Sequence, residues 1–181
     1  MNNERTRRLA LTGMLAALCA VLGYVSLDLG NLKFTLESLP ILLGALLFGP
    51  LDGFAVGAVG TLIYQLLRYG ISATTLLWIA PYALCGLLAG LWARARSFCM
   101  GRAAVLALVI SNELLITLLN TGVMYLDSKI YGYYSFAYIF GSFFLRIGIC
   151  VVKAAAFGVL LPVLLPPLRR ALRRPGAAPE K

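Results

Sequence analysis

The sequence predicts an all-α integral membrane protein: a bundle of six transmembrane helices with both chain ends on the cytoplasmic side. Three observations carry that expectation. Soluble domains are about 25% charged, whereas these 181 residues are 13% charged and 61% hydrophobic, with a mean hydropathy of +0.88. Several apolar runs are long enough for a ~30 Å hydrocarbon core. The basic residues behind the net charge of +9 lie between and beyond those runs, which suits lipid headgroups rather than nucleic acid. The length is that of one domain, read as 1–168 for the bundle and 169–181 for a basic cytoplasmic tail, disordered at its end.

Leu9 to Leu27 reads as the first span, preceded by Arg5, Arg7 and Arg8. It is too long for a signal-peptide core, so a retained cytoplasmic start is expected. In the loop Asp28 to Ser38, charged and polar residues alternate with Leu32, Phe34 and Leu36. That pattern suits an extended segment over a pocket.

Leu39 to Arg68 fits either one long helix or two short ones, because Gly49-Pro50 and Asp52-Gly53 form a turn signal in its middle. Charge parity decides. With two helices, eleven basic residues (Arg5, Arg7, Arg8, Arg94, Arg96, Arg102, Arg169, Arg170, Arg173, Arg174, Lys181) fall inside and Lys33, Arg68 and Lys129 outside. With one helix the division is five inside and nine outside, against the positive-inside rule. The second helix, Leu39 to Phe48, is then too short to cross upright and must be buried or bordered by water.

The third helix, Leu51 to Leu67, carries a small face of Gly53, Gly57 and Gly60. The fourth, Thr75 to Ala93, contains Pro81, which should kink it; Gly86 and Gly90 favour close contact. The fifth runs from Ala103 to Leu126 and the sixth from Phe136 to Pro162. Residues 1–94 and 95–181 show no duplication of the kind common in complete secondary transporters.

The fifth helix holds the residues least at home in lipid. Glu113, Thr117, Asn120 and Met124 recur at one helical face and read as a pocket wall. An ionised residue at the midplane costs about 2.5–3.5 kcal/mol on insertion scales. Glu113 and Arg146 therefore need partners, either each other or a ligand. Lys153 reads as a snorkelling or bracing lysine. Trp78, Tyr82, Tyr125, Tyr131, Tyr133 and Tyr134 fit an interfacial belt, with Trp78 and Tyr131 equally suited to stacking on a flat ligand. On the first helix, Gly13-xxx-Ala17 and Ala16-xxx-Ala20 allow close approach of another helix, within the bundle or from a partner.

Some chemistries lack their residues. There is no histidine, and Cys19, Cys85, Cys99 and Cys150 are scattered singly, so no metal or cofactor is expected. No P-loop motif is present, nor a nucleophile–base constellation, so the chain is not expected to be an enzyme.

Several phrases resemble one known family. They are Leu39-Pro40 followed by Leu47-Phe48-Gly49-Pro50, Thr74-Thr75-Leu76-Leu77-Trp78, Leu119-Asn120-Thr121, and Tyr125-Leu126-Asp127-Ser128-Lys129 with Tyr131-Gly132-Tyr133-Tyr134. With six spans and a small-residue face on the first helix, they resemble the substrate-binding S component of an energy-coupling-factor (ECF) vitamin transporter, folate branch. The resemblance implies a subunit that binds folate or a related pterin or aromatic vitamin from outside. It also implies delivery by docking on a membrane coupling subunit with two cytoplasmic ATPases. The site would lie between the loop after the first helix and helices four to six. Asn120 and Glu113 would meet the ring, Trp78 or Tyr131 would stack on it, Arg146 or Lys33 would hold an anionic tail, and Thr121 and Tyr82 would complete the set. Gly13, Ala17, Ala16 and Ala20 would form the docking face. Two other readings stay open: a solitary ion-coupled transporter using Glu113, and a membrane-embedded enzyme or scaffold.

Overall fold

The computed structural model describes residues 2–29, 32–98, 101–141 and 143–172. The chain forms α1 (Asn2–Tyr24), β1 (Leu27–Leu29), β2 (Leu32–Phe34), α2 (Ser38–Phe48), α3 (Pro50–Tyr69), α4 (Thr75–Ala95), α5 (Arg102–Ile130), α6 (Phe136–Phe140) and α7 (Phe143–Leu172). Among the described residues five helices, α1, α3, α4, α5 and α7, are long and apolar enough to cross a bilayer. The sixth, α2, has 11 residues and is buried along most of its length.

Two helices, not one, occupy the ambiguous stretch. Gly49 sits at φ +106° between them, a conformation that only glycine adopts at little cost. Pro50, whose missing N–H is harmless in a first turn, opens α3. Beyond the turn α2 and α3 run antiparallel. A methyl on Gly53 would lie 2.7 Å from Ala45 Cβ, and one on Gly44 3.1 Å from Val56.

The glycine faces act as expected. Methyl groups on Gly53 or Gly57 would overlap the α4 backbone at Gly86 and Tyr82, one on Gly90 would overlap Pro50, and one on Gly60 would meet Cys19 of α1 at 2.6 Å. Such backbone contact maximises dispersion where lipid offers no hydrophobic drive between helices.

Three expected boundaries move. The first helix ends at Tyr24, because Leu27 enters a hairpin with register Leu27↔Phe34, Asp28↔Lys33 and Leu29↔Leu32. The described residues, expected to be helical, thus include a small β element, lying where the extended segment was expected. The last helix does not run unbroken from Phe136. It divides into α6, closed by the Gly141 N–H donating to the Ala137 carbonyl at 2.9 Å, and α7. At its other end α7 continues through Pro162, Pro166 and Pro167 to Leu172, as helices in lipid do when neighbours supply the lost contacts. The first residues of the expected tail are thus its last turn, and Arg7 Nη2 donates to the Ala171 carbonyl at 3.0 Å there. Residues 173–181 and Cys99 lie outside the described part.

The core sits at the end of the bundle that carries the N-terminus. Leu42, Leu46, Val109, Phe157 and Leu161 are fully buried there, drawn from α2, α5 and α7. Arg8 clamps the α2–α3 turn at the same end, bonding Asp52 and donating to the Phe48 carbonyl at 2.8 Å. Thr12 reaches the other Asp52 oxygen at 2.8 Å. A second cluster, Cys19, Ile41, Val56, Tyr82, Cys85 and Ile116, lies further along. Beyond it the bundle opens.

Candidate functional site

A cavity of about 530 Å³ occupies the end opposite the core, between α3, α4, α5, α7 and the segment before α2. Its volume lies within the range of small-molecule sites, about 300–1,000 Å³.

The α5 wall follows from helical spacing. Thr117, Asn120 and Met124 face the cavity as one stripe, with Ile116, Thr121 and Asp127 beside them. The hydroxyls of Thr117 and Thr121 donate to the carbonyls one turn back, Glu113 and Thr117, each at 2.8 Å. Asn120 Nδ2 donates to the Tyr82 hydroxyl at 3.2 Å, while its Oδ1 is buried with no partner. That oxygen is an acceptor on the wall, and a buried one is costly until something donates to it.

Arg146, Ile149, Cys150 and Lys153 recur at three to four residues along α7 and form the facing wall. Arg146 Nη2 lies 2.9 Å from Met124 Sδ. Lys153 Nζ pairs with Glu113 Oε2 at 2.8 Å, and both side chains are shielded. This pairing answers the question left by Glu113 and Arg146: the carboxylate closes on Lys153. Glu113 is the one stripe residue absent from the cavity lining. It sits a turn deeper, where its burial is offset by the ammonium group. Lys153, read as a brace, braces α7 against α5 and also lines the cavity.

The mouth is aromatic. Trp78 Nε1 donates to Asp127 Oδ1 at 3.3 Å, and the Tyr133 hydroxyl donates to Asp127 Oδ2. One buried carboxylate therefore ties the start of α4 to the turn after α5. Tyr131, about half exposed, lines the opening. Lys129 stands outside, 4.2 Å from the Tyr134 ring centre and 5.8 Å from that of Tyr125, a cation–π arrangement. Those two tyrosines suit the interfacial belt.

Of the residues expected at a site, Asn120, Thr121, Trp78, Tyr82, Tyr131 and Arg146 come together. Lys33 lies in β2, and its side chain is outside the described part. Of the docking residues, Gly13 and Ala17 face outward, and a methyl on Gly13 would meet nothing within 4 Å. Ala16 and Ala20 are buried inside the bundle, Ala16 against Gly60 of α3. The first helix thus divides its small residues between two faces.

The sequence reading missed Glu37, Gln65 and Tyr64, all of them on the cavity wall. Gln65 and Tyr64 had the signal of polar groups inside a spanning helix. Glu37 stood in the alternating loop expected to lie over a pocket, but alternation alone does not tell which of its polar residues is buried.

The sequence model described as "ECF transporter, substrate-specific component" matches residues 7–168. Two curated relatives are both UPF0397 proteins of Streptococcus thermophilus, from strains LMD-9 and CNRZ 1066. Each is 28% identical over 114 residues, covering 62% of this chain and 62% of the relative. The chain thus spans less than two thirds of the length of these relatives.

Proposed function

The chain belongs to the family of substrate-specific components of ECF transporters, and on that premise we propose that it is the membrane-embedded vitamin-binding subunit of an ECF-type importer. The ligand is folate or a related pterin or aromatic vitamin, taken up from outside the cell. The observation that carries this reading is the cavity at the end away from the N-terminus, which combines aromatic faces, amide and hydroxyl groups and a cation. A flat heteroaromatic ligand stacks on Trp78 or Tyr131. Asn120, with Tyr82 and Thr121 beside it, meets the ring edge, and Arg146 holds an anionic tail by charge-assisted hydrogen bonds. Lys33 is the second candidate for that tail. Glu113 supports the site from behind, through Lys153, rather than touching the ring.

Delivery would proceed by docking on a membrane coupling subunit that carries two cytoplasmic ATPases. Gly13 and Ala17 are the proposed contact, being small and outward-facing on α1. Both chain ends face the cytoplasm in this reading, which puts the cavity on the outer side of the plasma membrane.

The experiment is gentle purification with mass spectrometry of what comes with the protein. A heteroaromatic vitamin, together with a coupling subunit and ATPases, is the expected result. A chain that purifies alone and moves solute against an ion gradient would replace this reading with that of a solitary carrier using Glu113.

A further inference from the structure

Glu37 is a charged group that the packing of the described residues does not explain. It is 1% exposed, yet it lines the cavity. Its Oε1 accepts a hydrogen bond from Thr35 Oγ1 at 2.9 Å, and its Oε2 has no partner. Among the described residues no cation pairs with it. Of the other buried carboxylates among those residues, Glu113 pairs with the Lys153 ammonium through Oε2, leaving Oε1 unbonded, and Asp127 has Trp78 and Tyr133.

The surroundings hold this carboxylate in place. Gly23 of α1 leaves room for it, since a methyl there would lie 2.8 Å from Oε2 and 2.9 Å from Tyr64 Cγ. The Glu37 carbonyl accepts from Cys19 Sγ at 3.4 Å. Glu37 and Asn120 both act on the Tyr82 hydroxyl, Glu37 by its charge and as the acceptor that the hydroxyl faces, Asn120 as a donor at 3.2 Å. Glu37 and Asn120 thus share one hydroxyl on the cavity wall, while Glu37 Oε2 and Asn120 Oδ1 make no hydrogen bond of their own. A buried, unpaired carboxylate is costly unless something brings it donors.

We infer that Glu37 is a ligand-binding group that receives an N–H donor edge of the substrate, an exocyclic amino group beside a ring N–H or amidine-like nitrogen. This inference rests on the proposed vitamin-binding role and narrows it. The ligand has two chemically distinct ends: a donor-bearing heteroaromatic edge at Glu37, Tyr82 and Asn120, and an anionic end at Arg146. Heteroaromatic compounds that present only acceptors along that edge are rejected, because both protein acceptors would stay unpaired.

The test measures binding of folic acid and of its analogue lacking the 2-amino group, by titration calorimetry, to the wild type and to Glu37→Gln. The same proteins are titrated with flat heteroaromatic vitamins with and without an exocyclic amino group. The wild type is expected to prefer the amino compound at least tenfold, and Glu37→Gln to lose more affinity for the amino compound than for the deaminated one, reducing that preference below threefold. Equal losses for both compounds, or no loss, would overturn the assignment and leave the vitamin-binding role standing. If the wild type binds no pterin but binds another amino-bearing ring, and Glu37→Gln selectively loses that ring, the folate assignment falls and Glu37 stands. Binding of none of these compounds overturns both. Should Glu37→Gln fail to fold, the wild-type ratio still decides: equal affinities for the paired compounds would sink the inference.

Discussion

Arg146 and Lys153 are both cations of α7 that face the cavity, but their surroundings give them different work. Lys153 is committed to Glu113 at 2.8 Å, with both side chains shielded. Removing one partner of such a pair leaves a buried charge uncompensated, which costs about 3–5 kcal/mol. Lys153→Met should therefore lower the melting temperature markedly. The double variant Lys153→Met/Glu113→Gln should regain most of that loss, and a double variant as unstable as the single one would refute the pairing. Arg146 has a different expected outcome. It contacts the soft sulfur of Met124 and is placed to meet an anion. Losing one partner of a desolvated charged hydrogen bond costs about 2–5 kcal/mol, roughly 30- to several-thousand-fold in affinity. Arg146→Ala and Asn120→Ala should each weaken vitamin binding at least tenfold in calorimetry, with melting temperature unchanged. Unaltered affinity in both would move the site elsewhere.

Element by element, the glycines separate packing from docking. Gly86 of α4 lies against the Gly53 backbone and Ile41, so Gly86→Leu has nowhere to put its side chain without parting α3 from α4. Overpacking costs about 1–3 kcal/mol in ordinary cores, and more is expected where backbone meets backbone; the variant should be strongly destabilised in thermal unfolding. Gly13 is also a small residue in an apolar helix, but it faces outward. Gly13→Leu and Ala17→Leu should leave folding and vitamin affinity intact while preventing co-purification of the coupling subunit. Loss of binding with docking retained would assign that face to the bundle instead. The two-helix reading of Leu39–Arg68 was legible because charge parity and a Gly-Pro turn are properties of the linear chain. The division of Ala16 and Ala20 from Gly13 and Ala17 was not, since both pairs have the same spacing and only the position of α3 tells them apart. The pairing of Glu113 with Lys153 was hidden for a similar reason. It depends on the vertical offset of α5 and α7, which spacing along either helix does not give. Glu37 is the extreme case: its burial is made by Gly23, Tyr64 and Tyr82, three residues on three other helices.

For the molecule as a whole, the direction in which it sits in the membrane turns a cavity into an entry site. The described structure separates two ends. One carries the start of α1, the α2–α3 turn, the end of α4 and the end of α7, with Arg8, Arg94, Arg96, Arg102, Arg169 and Arg170 among its basic residues. The other carries the hairpin, the α3–α4 loop, the cavity and the aromatic mouth. Basic residues favour the cytoplasmic side by retention during insertion and by attraction to anionic lipid, so the arginine-rich end should be cytoplasmic and the cavity external. The prediction uses two positions from opposite ends, Lys129 beside the mouth and Phe98 in the α4–α5 loop. With Cys99 replaced by serine, a membrane-impermeant thiol reagent added to intact cells should label Lys129→Cys and not Phe98→Cys. After the membrane is opened, both should react. Labelling of Phe98→Cys alone in intact cells would invert the molecule and turn the cavity towards the cytosol, and a vitamin importer that captures its ligand from outside would no longer fit.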